Sequence, residues 1–184
     1  MTTELPLLVV LAGRPGTGKT TLARRLAEAV RAAYLRIDAI ETAVVRCGLA
    51  QPPVRPVGYV VAHELAASTL TLGVPVVVDA VNPVPESRAG WRELTRISQL
   101  VVFETSIQDE HEHRRRVTDR RPDLAGQLLP TWDDVVAADY VPWDEARDGA
   151  HLIIDMSDTA QAVSVALGHL EQVTGNRWLA PADA

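Results

Sequence analysis

The feature that most constrains this chain is the octapeptide Gly13-Arg14-Pro15-Gly16-Thr17-Gly18-Lys19-Thr20, a full match to G-x-x-x-x-G-K-[ST]. It follows the continuous apolar run Leu7 to Ala12 and precedes Lys19 to Arg31, where Leu22, Leu26 and Val30 recur every four residues. The context is therefore strand, glycine loop, helix. Glycines let successive backbone N–H groups turn inward toward phosphate oxygens, and the helix N-terminus adds partial positive charge. Gly13, Pro15, Gly16, Thr17 and Gly18 form the cradle. Lys19 is expected to reach the β and γ phosphates, Thr20 to ligate Mg²⁺, and Thr21 to bond the α phosphate. A dinucleotide fingerprint, G-x-G-x-x-G, begins at Gly16 but fails at its third glycine, where Thr21 stands.

A loop of this kind needs a sheet behind it, and the rest of the chain supplies one. Further short apolar runs at Tyr34 to Ile37, Val74 to Val78, Leu100 to Phe103 and Leu152 to Ile154 predict five strands. They alternate with helical stretches over Ala39 to Cys47, Val57 to Leu72, Glu86 to Ser98, Gln108 to Arg121, Trp132 to Tyr140 and Thr159 to Val173. Alternation predicts right-handed crossovers and a parallel sheet covered on both faces, an α/β/α sandwich with ligands at the carboxyl ends of the strands. At 184 residues, with 47% apolar and 23% charged, the chain reads as a single globular domain over 1–184. Met1 to Glu4 and 176–184 fall outside the apolar pattern and are expected to fray.

Bulk properties exclude several classes. A net charge of −6 without a long Lys/Arg run argues against duplex nucleic acid. Cys47 is the sole cysteine, which excludes an intrachain disulfide and suits a cytoplasmic setting. Leu5 to Ala12 is too short for a bilayer and lacks a basic flank, so no membrane association is expected.

Acidic residues at strand ends carry the next inference. Asp79 closes the third apolar run, where a carboxylate can hold the Mg²⁺ hydration shell; the bland alternative is a helix N-cap. Ala80 follows it, so the glutamate with which motor ATPases activate water is absent. Asp38 follows the second run and is the candidate base for an acceptor hydroxyl, with an N-cap completed by Glu41 as the alternative. The basic stretch from His111 to Arg121 precedes a Pro/Gly-containing segment, and 117–131 is expected to form a lid. Arg116 and Arg120, four apart and so on one helix face, are the arginines expected to neutralise the transferring phosphoryl group. His111 and His113 face apart on a helix, which disfavours a metal pair.

The segments GRPGTGKTTLARRLA, LRIDAIE, VVVDAVNPVPESR, RRRVTDR and YVPWDEA together resemble the small-molecule kinases of the AAA-type P-loop group, similar to chloramphenicol phosphotransferase, gluconate kinase, adenylylsulfate kinase and the polynucleotide kinase domain. The resemblance runs from Leu7 to about Asp158 and implies a P-loop NTPase fold with a five-stranded parallel sheet and a helical lid. It implies ATP and Mg²⁺ as cofactors, Asp38 as base, Asp79 at the metal, Arg116 and Arg120 on adenine or phosphates, and Arg88 near the acceptor. Glu41 stands where polynucleotide kinases commonly place an arginine. Arg46, Arg55, Tyr59, His63 and Asn82 are the remaining candidate acceptor contacts, and Trp132, Tyr140 and Trp143 are expected to pack, with the lining of a pocket as the alternative.

The function implied is ATP-dependent transfer of the γ-phosphate to a hydroxyl of a small molecule, whether metabolite, nucleoside-like compound or antibiotic, by a monomer or homodimer. A nucleotide-dependent regulatory ATPase is the alternative. No N-K-x-D signature follows the fourth run, which speaks against guanine specificity.

Overall fold

In a computed structural model the chain is described over residues 5–54 and 56–178; the fraying expected of 1–4 and of the last residues, and the role expected of Arg55, lie outside them. The elements are β1 (Leu7–Ala12), α1 (Lys19–Ala29), β2 (Ala33–Arg36), α2 (Ile37–Arg46), α3 (Val57–Thr71), β3 (Val76–Asp79), α4 (Pro85–Glu93), β4 (Gln99–Ser106), α5 (Glu110–Asp119), α6 (Trp132–Ala137), α7 (Glu145–Asp148), β5 (Leu152–Asp155) and α8 (Thr159–Thr174). The five strands form one sheet in the order β2-β3-β1-β4-β5, and every pairing is parallel.

Alternation along β1 divides the core in two. Leu7, Val9 and Leu11 point to a layer built with Leu22 and Leu26 of α1 and Ala166 and Leu170 of α8. Leu8 and Val10 point to the opposite layer, with Ala62, Ala66 and Leu70 of α3 and Trp91 of α4. Burial on both faces is why β1 is apolar at every position. The expected three-layer α/β/α architecture is the one observed.

Element boundaries differ from the sequence reading in ways that matter for the site. The second strand ends at Arg36, and α2 starts at once, so Ile37 and Asp38 are helical. β3 starts two residues late, because Pro75 has no N–H to donate; its carbonyl accepts from Ala33 instead. β4 runs on to Ser106, since Glu104, Thr105 and Ser106 pair with β5 despite their polarity. The helix expected to reach Ser98 ends at Glu93 and continues as the 3₁₀ turn Leu94–Arg96, and α6 stops at Ala137 rather than Tyr140 because Ala138 is extended. The short α7 has no apolar period to announce it; Asp144 caps it by accepting the Arg147 N–H.

Candidate active site

The glycine loop leaves β1 at the centre of the sheet and is braced by distant parts of the chain. Gly13 has φ 126°, and a Cβ there would lie 2.5 Å from the Thr105 carbonyl oxygen of β4. Gly16 has φ 84°, and its Cβ would lie 2.5 Å from Val117 Cγ2 of α5. Both positions thus require glycine for conformation and for space. His113 Nε2 sits 2.7 Å from the Pro15 carbonyl, and the Thr17 and Thr105 hydroxyls are 2.6 Å apart. Lys19 Nζ donates to the Arg14 carbonyl at 2.8 Å, while the Arg14 guanidinium reaches away to the Val135 carbonyl at the same distance. Burial lowers the Lys19 pKa from 10.5 to about 8, although the charges of Asp79 and Asp38 oppose the shift.

The two aspartates singled out in the sequence meet this loop. Asp79 is the last residue of β3, 5% exposed, and its Oδ2 accepts the Tyr34 hydroxyl at 2.7 Å. Burial together with the Asp79 carboxylate pushes the Tyr34 phenol well above its usual range. Asp79 is not a helix cap, since α4 starts at Pro85 with Val84 in the cap position. Asp38 is not one either: the cap of α2 is Arg36, which leaves Asp38 in the first turn, where a carboxylate suits the helix dipole.

Arg36, which sequence reading passed over, links these carboxylates. Its side chain is 3% exposed. It donates to Asp123 through Nη1 at 2.7 Å and Nη2 at 2.9 Å, and to Asp38 through Nη2 at 3.3 Å, and its Nε lies 3.7 Å from Asp79 Oδ2. Burial alone would disfavour its charge, but the hydrogen bond to Asp123 and the neighbouring carboxylates raise its pKa above the ordinary value. The only sequence signal was a charged residue at the end of a strand, Leu35-Arg36-Ile37-Asp38.

These groups open into a cleft of about 900 Å³ lined by Pro15, Gly16, Gly18, Lys19, Thr20 and Thr21, by Asp79, and by residues from Arg120 onward. Along α2, Asp38, Glu41, Thr42 and Val45 share the face that borders it, at intervals of three and four. Pro52, Pro53 and Val54 extend that wall. Gly13 and Thr17 lie behind the loop rather than on the cleft lining.

The lid arginines divide. Arg116 lines the cleft and is held by Glu112 at 2.7 Å and by the Met156 carbonyl at 3.0 Å. Arg120 does not share its helix face, because α5 ends at Asp119 and Arg120 is extended; its Nη2 lies 3.7 Å from Asp38. The lid expected to be helical is not: between α5 and α6 the segment 120–131 has no helix or strand, because Pro122, Gly126 and Pro130 interrupt any helical run.

Among the described residues, the expected acceptor contacts other than Asp38 do not line this cleft. Arg88 is 1% exposed, paired with Asp148 at 2.7 Å and donating to the Asn82 carbonyl at 3.0 Å. Asn82 is fully buried; its side chain bonds the Leu11 carbonyl and the Trp91 indole, and its N–H donates to the Tyr59 phenol. Arg88, Asn82 and Tyr59 thus form a connected brace just beyond the end of β3. His63 bonds the Gly90 carbonyl, and Arg46 is exposed at the end of α2 without bordering the cleft. Trp132, Tyr140 and Trp143 pack as expected: against His113, onto Glu104 through the phenol, and over Arg88 with His151 stacked beside it.

A central parallel strand, a glycine loop opening a helix, and a carboxylate at the neighbouring strand's end define a P-loop nucleotide-binding domain. The AAA domain family model matches residues 8–127, more than half of the chain, and the chain belongs to that family. No curated protein matches it. Solved structures of similar fold include a sugar kinase from Janibacter sp. HTCC2649, at 17% identity and TM-score 0.69 over 92% of this chain and 97% of that one. A gluconokinase from Sinorhizobium meliloti 1021 is similar at 21% identity and TM-score 0.64, over 95% and 97%. Kti12 from Chaetomium thermophilum, solved with ADP-AlF3, is similar at 17% identity and TM-score 0.66, over 92% and 100%. At these identities the likeness is one of fold.

Proposed function

We propose that the chain is an ATP-dependent kinase that phosphorylates a hydroxyl of a small molecule, acting in the cytoplasm as a monomer or homodimer. The observation that carries this reading is the convergence of Lys19, Asp38 and Asp79 on one cleft, with Asp38 on a helix face that continues away from the phosphate loop. A carboxylate so placed suits an acceptor alcohol, and Ala80 leaves no glutamate beside Asp79 to activate water. Kinases among the proteins of similar fold, acting on sugar and gluconate by their names, agree with it.

The residues fit the nucleotide and its metal. Gly16 and Gly18, both at positive φ, line the cleft beside Lys19, a turn that suits phosphate oxygens, and Thr20 and Asp79 on the same lining would hold Mg²⁺. When bound, Mg²⁺ neutralises phosphate charge. In the transfer, the acceptor oxygen forms a bond to the γ-phosphorus as the bond to the β,γ-bridging oxygen breaks, its electrons leaving with ADP. The hydroxyl proton passes to Asp38. Lys19 and the guanidinium of Arg116 or Arg120 hold the phosphoryl oxygens.

The test is ADP release with ATP, Mg²⁺ and a panel of sugars, sugar acids, nucleosides and amino alcohols. One acceptor class should stimulate release, Lys19→Ala should abolish it, and Asp38→Asn should lower it by about a hundredfold or more while ATP still binds. Unchanged transfer by Asp38→Asn sinks the base assignment; slow release indifferent to every acceptor favours the regulatory ATPase instead.

A further inference from the structure

The geometry points to Arg36 and Asp123 as a pair of positioning residues through which closure of the lid orients the two carboxylates of the site. This inference rests on the kinase reading for its chemistry, but its structural half stands apart from it.

Arg36 is buried beside the cleft, at the junction of a strand and a helix. It ends β2, where it is the register partner of Asp79 on β3, so the sheet itself sets the two side by side. It also caps α2, two residues before Asp38. Both carboxylates are thus tied to one side chain by the backbone, before any ligand arrives. The remaining side of the guanidinium faces the lid, where Asp123 takes a two-point contact through Nη1 and Nη2 at 2.7 and 2.9 Å. Arg24 of α1 adds a third hydrogen bond to that carboxylate at 2.7 Å.

The lid reaches the same point by two further residues. Gln127 Nε2 donates to Asp38 Oδ2 at 3.1 Å, and Arg120 Nη2 stands 3.7 Å from that oxygen. Arg36 Nη2 also addresses Oδ2, so the three contacts converge on one oxygen of Asp38 and leave Oδ1 as the oxygen to meet an acceptor hydroxyl. The segment that carries Arg120, Asp123 and Gln127 has no helix or strand of its own, so side-chain contacts of this kind must hold it. The buried Arg36 Nε makes no hydrogen bond and lies 3.7 Å from Asp79, a donor that a small shift of either side chain would satisfy. With the lid away, Asp38 loses Gln127 and Arg120, and Arg36 loses its two-point partner. The orientation of the base then depends on the lid being closed.

Asp123, exposed enough to change without threatening the fold, provides the first test. In Asp123→Asn, amide hydrogen exchange over 120–131 should rise by about tenfold or more, a change that needs no acceptor to be seen. The kcat for ADP formation from ATP and Mg²⁺ should fall by about tenfold with the calorimetric Kd for ATP within about threefold, because binding is retained and positioning lost. Asp123→Glu, which keeps the carboxylate, should recover most of both, and Arg36→Lys, which cannot span two oxygens, should behave like Asp123→Asn. Unchanged exchange in Asp123→Asn overturns the latch; raised exchange with undiminished kcat overturns the coupling. If Asp38→Asn retains full turnover, the base reading fails while the exchange result still decides the latch.

Discussion

At the residue scale, the local field around Lys19 makes the pH dependence of nucleotide binding predictable. Its ammonium is held down to about 8 by burial. A phosphate beside it favours the charged form, so the complex has the higher pKa and binding takes up a proton once the free protein has lost one. ATP affinity should therefore be level below about pH 8 and fall above it, approaching tenfold per unit, with proton uptake seen by calorimetry in buffers of different ionisation heat. A flat affinity from pH 7 to about 9.5 would contradict this. Gly16 gives a second prediction at the same scale. Its φ is 84°, and an added methyl would stand 2.5 Å from Val117 Cγ2. Gly16→Ala should therefore cost about 1–2 kcal/mol in urea unfolding and weaken ATP binding at least about tenfold.

At the scale of elements, the site is assembled by neighbours in space that are remote in sequence. His113 on α5 holds the Pro15 carbonyl from 98 residues away. His113→Ala should weaken ATP binding by about fivefold, the worth of one hydrogen bond that shapes the loop, with little change in far-UV circular dichroism. The Arg88–Asp148 pair joins α4 to α7 with side chains 1% and 2% exposed. Burial there is tolerable only because hydrogen bonds from Arg147 and Arg88 hold the Asp148 carboxyl below its usual range. Arg88→Met takes away one of that carboxylate's two arginine partners, Arg147 and the Asp144 N–H remaining, and leaves the Asn82 and Val141 carbonyls without their donor, so it should cost about 1–3 kcal/mol by denaturant unfolding. Loss of acceptor binding without loss of stability would instead place Arg88 at the substrate. Both residues stand out in the sequence, Arg88 as a candidate acceptor contact and His113 as a disfavoured metal ligand. Neither pairing does, because residue spacing says nothing about which helix a loop returns to.

At the scale of the whole molecule, β1 is shared by two cores and should tie them into one cooperative unit. Val9 and Val10 are fully buried on opposite faces. Val9→Ala and Val10→Ala should each lower the same unfolding transition by about 2 kcal/mol, with tryptophan fluorescence and circular dichroism coincident. Separate transitions would mean that the layers melt independently. The same central strand delivers the glycine loop to the middle of the sheet edge, with β3 on one side and β4 on the other, so Asp79 and Thr105 flank it by topology.

The sequence alone determined the phosphate loop, the parallel sheet covered on both faces, and the two aspartates that close or follow apolar runs. Each is written locally: a glycine pattern that only a tight turn needs, apolar runs of strand length, and a carboxylate following such a run. Only the tertiary structure decided that Arg36 joins Asp38, Asp79 and Asp123, that Asp38 belongs to a helix, and that Arg88 and Asn82 brace the core instead of facing the cleft. Those outcomes depend on which buried charges find partners across the sheet. A charged residue must be paired or exposed, and one-dimensional spacing does not reveal which.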